Sequence, residues 1–215
     1  MEDKEQRFPI SETFISPQGE GLWTGTLMQF IRFAGCSVGK KPFGTGNCRT
    51  VDGRKFDCDT DFSRTKFMTV DEISTECAGL THVCLTGGEP LDHYITELVD
   101  RLIFEGHMVH LETSGTKPLW EHGGAPPQWI ACSPKKGMLD EYWSLADEFK
   151  FLVDKDFDPD SIPTVRISDD KYIWLQPVNY RMEIDPTNLK RCLNIIERHQ
   201  HWRLSVQMHK LIHVR

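Results

Sequence analysis

The amino-acid sequence predicts an α/β fold built on a largely parallel sheet. Short apolar segments of strand length alternate with segments of helical periodicity. Polar and cysteine residues gather immediately after the strand segments, which is where parallel sheets place their ligands. At 215 residues the chain is long enough to bury a real core, and no repeat or linker divides it.

Taken in order, residues 8–20 alternate loosely and end in a turn signal, Gln18-Gly19-Glu20-Gly21. Residues 26–33 read as a strand with Gln29 and Arg32 as polar interruptions. The stretch at about 36–61 is filled with Gly, Pro, Asn and Asp, so it is expected to be loop without helix or strand. Thr69 caps a helix, and Glu72 three residues on completes a capping box. Val83-Cys84-Leu85 is a short buried strand stopped by Gly87-Gly88. Residues 91–105 have helical spacing through Leu91, Ile95, Leu98, Val99, Leu102 and Ile103. Val109-His110-Leu111 is the next strand. Further strands are expected at 128–132, 148–153 and 172–176, a helix at about 187–199, and a last strand at about 203–208.

The strand ends collect one kind of residue. Arg32 to Cys36, Thr86 to Pro90, Glu112 to Gly115, Cys132 to Lys135 and Gln176-Pro177 each follow or close a strand, and Lys150 lies inside one. A single Gly-Gly after a strand means little, since α/β turns need glycine anyway. Several polar strand ends on one rim make a site.

Composition narrows the function classes. Hydrophobic content of 39% and charged content of 27% are ordinary for a soluble globular protein. No apolar run approaches a membrane span, and no apolar segment follows Met1 to Glu5, so a cytoplasmic protein with reduced thiols is expected, with no membrane partner. A net charge of −7 argues against a nucleic acid held by charge alone.

Three of the seven cysteines, Cys36, Cys48 and Cys58, fall in the glycine-rich stretch. They offer three thiolate ligands, with no histidine between residues 33 and 81 to close a fourth position. An open position suits a catalytic metal or a cluster with one exchangeable iron, and zinc, Cu(I) and iron–sulfur all remain open. Cys77, Cys84, Cys132 and Cys192 read as buried small apolar side chains. His82, His93, His107, His110, His122, His199, His201 and His213 read as structural.

The motifs Glu12-Thr13-Phe14-Ile15-Ser16-Pro17-Gln18-Gly19-Glu20-Gly21, Cys58-Asp59-Thr60, Leu85-Thr86-Gly87-Gly88-Glu89-Pro90, Glu112-Thr113-Ser114-Gly115, Ser133-Pro134-Lys135 and Gln207-Met208-His209-Lys210 span almost the whole chain. In them the sequence resembles the 7-carboxy-7-deazaguanine synthases of the radical S-adenosylmethionine (SAM) superfamily. Gly-Gly-Glu-Pro marks the superfamily; the Gln-Gly-Glu-Gly segment, Cys-Asp-Thr and the terminal Gln-x-His-Lys mark the synthases. The resemblance implies one domain over residues 1–215, a partial (β/α) barrel of the radical SAM type, shorter than a full eight-fold barrel, with an expanded cluster-binding loop at about 36–61.

It also implies the chemistry. Cys36, Cys48 and Cys58 would hold a [4Fe–4S] cluster whose fourth iron chelates SAM. Reductive cleavage of SAM would yield a 5′-deoxyadenosyl radical that takes hydrogen from 6-carboxy-5,6,7,8-tetrahydropterin. Ring contraction and loss of ammonia would give 7-carboxy-7-deazaguanine. Asp57, Asp59, Gly88, Glu89, Ser114, Ser133, Pro134, Lys135, Gln176, Pro177, Val178 and Asn179 would line the SAM site. Thr60 would meet Mg2+. Pro17, Gln18, Gly19, Glu20, Arg32, Thr86, His209 and the terminal carboxylate of Arg215 would meet the substrate. The structural alternatives are a surface charge for Arg32 and a satisfied core histidine for His209. A flavodoxin- or ferredoxin-type reductant and a homodimer are implied as partners.

One departure stands out. The commoner spacing in the superfamily is Cys-x3-Cys-x2-Cys, whereas this chain has Cys-x11-Cys-x9-Cys, so Cys48 is chosen as the only cysteine between the other two. The rival readings are another radical SAM enzyme, such as a glycyl-radical activase, and a non-catalytic zinc-binding module.

Overall fold

The computed structural model describes residues 5–39, 47–58, 60–61, 65–119, 123–179 and 183–214. Eleven strands are present among them: β1 (Arg7–Pro17), β2 (Leu27–Phe33), β3 (Asn47–Arg49), β4 (Lys55–Asp57), β5 (Lys66–Thr69), β6 (His82–Gly87), β7 (Met108–Thr113), β8 (Trp129–Cys132), β9 (Glu148–Val153), β10 (Tyr172–Pro177) and β11 (Trp202–Leu204). The helices are α1 (Val70–Cys77), α2 (Thr96–Phe104), α3 (Tyr142–Leu145), α4 (Pro186–Ile196) and α5 (Met208–Leu211).

Nine strands form one open sheet in the order β11-β10-β9-β8-β7-β6-β2-β1-β5. Every pair from β2 to β11 is parallel, while β1 runs antiparallel to both β2 and β5. The sheet does not close on itself, as expected of a partial barrel.

Strand alternation divides the sheet into two faces. Val83 and Leu85 of β6, Val109 and Leu111 of β7, Phe149 and Phe151 of β9, and Ile173 and Leu175 of β10 point to the main core, which Ile73, Leu98, Leu102 and Ile195 of the helices complete. The intervening residues face the other way. Low on that inner face Met28, Phe30 and Cys84 pack with Phe14 and Trp23. Beside them His82 Nδ1 and His110 Nε2 lie 2.9 Å apart, and both rings sit against Trp23. Higher on the same face come Thr86, Glu112, Lys150 and Gln176, so each strand that supplies the core also supplies the rim.

Local signals set the helix ends. Thr69 accepts from Glu72 N, and the Glu72 carboxylate accepts from Thr69 N at 2.8 Å, the predicted capping box. Asp185 caps α4 by accepting from Thr187 and Asn188 N, with Pro186 at the first helical position.

Three expectations need correction. The stretch at 36–61 is not free of regular structure: β3 and β4 pair as an antiparallel hairpin in which Cys48 lies opposite Phe56. Docking, not local propensity, makes it, because Thr50 bridges to Lys135, Val51 N donates to Pro134 O at 3.2 Å and Lys136 N donates to Arg49 O at 3.0 Å. The helix expected from residue 91 begins at Thr96, since Pro90–Asp92 is a 3₁₀ turn capped by Glu89. The last strand ends at Leu204, and residues 208–211 are helical instead, for after Ser205 N bonds Leu175 O the chain leaves the sheet.

Candidate active site

A cavity of about 420 Å³ opens at the carboxyl ends of the strands. It is bounded by β1 and β2 on one side, by the hairpin above, and by the segment after β11 on the other. Cys36, Cys48 and Cys58 all line it. Cys36 follows β2. Cys48 lies in β3, and Cys58 follows β4 on the same face as Phe56, two residues on. The hairpin therefore makes Cys48 and Cys58 diagonal cross-strand neighbours despite nine intervening residues. The Cys48 thiol is pushed strongly upward in pKa by its hydrogen bond with Cys58 and by burial. Burial likewise raises Cys36. Lys135 faces these thiols: its burial lowers the ammonium pKa, Cys48 and Cys58 oppose that, and its Nζ sits 5.0 Å from the Phe56 ring centroid. Cys77, Cys84, Cys132 and Cys192 are buried and do not line the cavity.

The floor is polar. Lys150, only 4% exposed, donates to Glu20 Oε2 at 2.8 Å and to Glu112 Oε1 at 3.2 Å. Gln18 Nε2 donates to Glu112 Oε1 at 3.2 Å and Thr86 Oγ1 to Glu112 Oε2 at 2.9 Å. Glu20 Oε1 accepts from Gln176 Nε2 at 3.1 Å and Gln207 Nε2 at 3.0 Å. Burial alone would raise the Glu20 carboxyl, but Lys150 with Gln207 holds it down to about 2. Lys150 is driven well above the usual lysine range: burial opposes its charge, and the Glu112, Glu20 and Glu148 carboxylates more than offset it. Gln176 borders the cavity, and its Oε1 is buried without a protein hydrogen-bond partner.

Two glycines are required by close approach. A Cβ on Gly88 would strike the Gly35 carbonyl and stand 3.0 Å from Cys36 Cβ, so the glycine lets the end of β6 abut the first thiol. A Cβ on Gly19 would strike the His209 ring, which stacks α5 onto the Gln-Gly-Glu-Gly turn, with Met208 N donating to Gly19 O at 2.9 Å.

Arg32 Nε donates to Glu12 Oε1 at 2.8 Å and its guanidinium lies 5.5 Å from the Phe14 ring centroid, all at the cavity wall. Pro17, Gln18, Gly19, Glu20, Thr60, Thr86 and His209 line the cavity, as do Gly88, Ser114, Ser133, Lys135 and Gln176. Glu89 is fully buried behind Ser114: its carboxylate accepts from Thr113 Oγ1 at 2.8 Å, from Ser114 N at 2.9 Å and from Ser114 Oγ. Burial raises that carboxyl despite the Ser114 bonds. Asp57, Pro134, Pro177, Val178 and Asn179 stand outside the lining; Asn179 Nδ2 instead donates to Gln207 Oε1 at 3.3 Å. Asp59 and Arg215 lie outside the described residues.

Sequence reasoning left three contributors unassigned: Glu112, Lys150 and Gln207. A lysine inside the apolar strand Glu148–Val153 was the available signal, because a buried lysine needs carboxylate partners. Gln207 carried only its place in the Gln-x-His-Lys motif, which names no partner for it.

The donor set fits an iron–sulfur cluster. Three soft thiols and no imidazole meet at one end of the cavity, with room beside them for a larger ligand. Among the described residues no group of three or more His, Cys, Asp or Glu side chains is placed to hold a metal ion.

No protein-family model matches the chain. It is similar to the 7-carboxy-7-deazaguanine synthase of Bacteroides thetaiotaomicron, 36% identical over 208 residues, covering 96% of this chain and 98% of the relative. The synthase of Synechocystis is 36% identical over 214 residues, covering 97% and 94%. Among solved structures, QueE from Escherichia coli matches with a TM-score of 0.71 and 28% identity, covering 94% of this chain and 95% of that one. With such identity over nearly the full length on both sides, the chain belongs to the 7-carboxy-7-deazaguanine synthase family.

Proposed function

We propose that this chain, a single radical SAM domain over residues 1–215, converts 6-carboxy-5,6,7,8-tetrahydropterin to 7-carboxy-7-deazaguanine with loss of ammonia. The observation that carries the reading is the convergence of three thiols and a polar floor on one cavity at the strand ends. Cys36, Cys48 and Cys58 would hold the [4Fe–4S] cluster, which with SAM supplies the radical that abstracts hydrogen from the substrate.

The chain's own residues bind and orient. Ser114, fixed by Glu89, and Ser133, Lys135 and Gly88 would form the SAM side of the cavity, with Asp57, Asp59, Pro134 and Gln176 to Asn179 as its surround. The Arg32 fork suits the substrate carboxylate bidentately. Glu20 is held ionised as an acceptor for ring N–H groups, oriented by Gln176 and Gln207. Gln18, Thr86, Pro17, Gly19 and His209 would complete the pterin contacts, with the Arg215 carboxylate beside them. Thr60 would offer one hydroxyl to Mg2+, whose shell is otherwise water and substrate oxygen. A flavodoxin- or ferredoxin-type reductant and a homodimer go with this reading, as does a cytoplasmic location. Among the described residues no helix is long and apolar enough to cross a membrane.

Anaerobic turnover of 6-carboxytetrahydropterin with SAM, Mg2+ and a chemical reductant, followed by product mass, tests it. A product lighter than the substrate by the elements of ammonia is expected. One zinc per chain, no sulfide and no turnover would overturn it and return the zinc-binding module.

A further inference from the structure

The hairpin that brings Cys48 beside Cys58 has strands of three residues each, too short to hold a register alone. Its far end docks on Pro134 and Lys135 through Val51 and Thr50, and is tied down on its other side by one residue outside the cavity. Arg54 Nε pairs with Asp52 Oδ2 at 2.7 Å within the turn. Its NH1 pairs with Asp154 Oδ1 at 2.5 Å, and its NH2 donates to Leu152 O at 2.9 Å, both at the end of β9. The guanidinium plane lies 5.0 Å from the ring centroid of the buried Phe157. Thr50 Oγ1 reinforces the turn by bonding Arg54 O at 3.2 Å. Three hydrogen-bond directions and a stacked face are what a guanidinium supplies and an ammonium cannot.

We propose that Arg54 is a positioning residue for the cluster: by clamping the β3–β4 turn to the end of β9 it fixes the register that sets Cys48 beside Cys58. The enlarged spacing between the cysteines is then no loosening of the site. A pair held close elsewhere by short sequence spacing is held here by strand pairing, by docking onto Pro134 to Lys136 and by the Arg54 clamp. The inference rests on Cys48 being a cluster ligand.

Amide hydrogen exchange across residues 47–57 and iron and sulfide content after anaerobic reconstitution are measured together for the wild type, Arg54→Ala, Arg54→Lys and Cys58→Ser. In both Arg54 variants the hairpin amides should lose at least about tenfold protection while β6 to β9 keep theirs. Iron per chain should fall below half of the wild-type content, with Arg54→Lys recovering only part. Cys58→Ser should lose the cluster but keep hairpin protection in the cluster-free state, which separates loss of a ligand from loss of the clamp. If Arg54→Ala does not fold, Asp154→Ala removes one arm and should show the same two losses in smaller measure. Wild-type protection at 47–57, or full iron despite a loosened hairpin, overturns the proposal. A full cluster in Cys48→Ser overturns instead the ligand reading beneath it, in a protein whose Arg54 is intact.

Discussion

Replacing Lys150 by Met tests the polar floor most directly. The side chain is 4% exposed and bridges Glu20 and Glu112, so its removal leaves two carboxylates facing each other without a cation. Two routes give the magnitude. Breaking a buried pair by removing one partner costs about 3–5 kcal/mol. Independently, the Glu20 carboxyl is held at about 2 against an ordinary 4.5, and a difference of that size corresponds to roughly 3 kcal/mol. Because the folded pKa is depressed, this stability is present above pH 4.5 and is lost as pH falls toward about 2. At neutral pH, urea unfolding of Lys150→Met should therefore show a loss of about 3 kcal/mol, or roughly 6–12 °C in Tm for a chain of this size. Its stability should also depend less on acid. Adding Glu20→Gln removes one of the stranded charges, so the double variant should be more stable than Lys150→Met alone. A loss under about 1 kcal/mol, or additive single effects, would refute the claim that Lys150 neutralises this pair.

Other expectations are as direct. Cys48→Ser should abolish the visible cluster absorbance as fully as Cys58→Ser, whereas Cys77→Ser, buried at the end of α1, should keep it; the reverse result would move the ligand assignment. Gly19→Ala forces the His209 ring away, so KM for the pterin should rise at least about tenfold with SAM binding intact; steady-state kinetics at saturating SAM reads this. His110 is pushed down to about 4 by burial and by His82, so it is neutral in the folded state. Stability is then fully present above the ordinary pKa of 6.5 and declines by up to roughly 3 kcal/mol as pH falls to about 4. Urea midpoints across that interval should fall in the wild type and stay flatter in His110→Gln.

Most of the sheet was legible because its strands carry their own signals. Val83 to Leu85, Val109 to Leu111 and residues 148–153 are apolar runs bounded by turns, and the structure places strands there. The Thr69–Glu72 capping box was legible for the same local reason. What stayed hidden depends on partners distant in sequence. The β3–β4 hairpin exists because Ser133–Lys136 accepts it as a neighbour, and no property of residues 47–57 announces that. Glu112 and Lys150 were visible as rim residues, but their pairing needs the register of β7, β8 and β9. The overcalled last strand failed likewise: Val206 has strand propensity, yet Gln207 turns inward to meet Glu20 and Lys210.

The two-faced sheet has a consequence for how such a chain can change over time. Core and site are written on alternate positions of the same strands: Phe149, Lys150, Phe151 on β9, and Leu111, Glu112, Thr113 on β7. Deleting one residue within β9 would carry Lys150 into the apolar layer and bring a phenylalanine to the floor of the cavity, damaging folding and chemistry in one event. Insertions and deletions are therefore excluded from the strands and admitted only in the connections above the rim. The stretch between Cys36 and Cys58 is such a connection, so a change in its length leaves the register of the nine-stranded sheet intact.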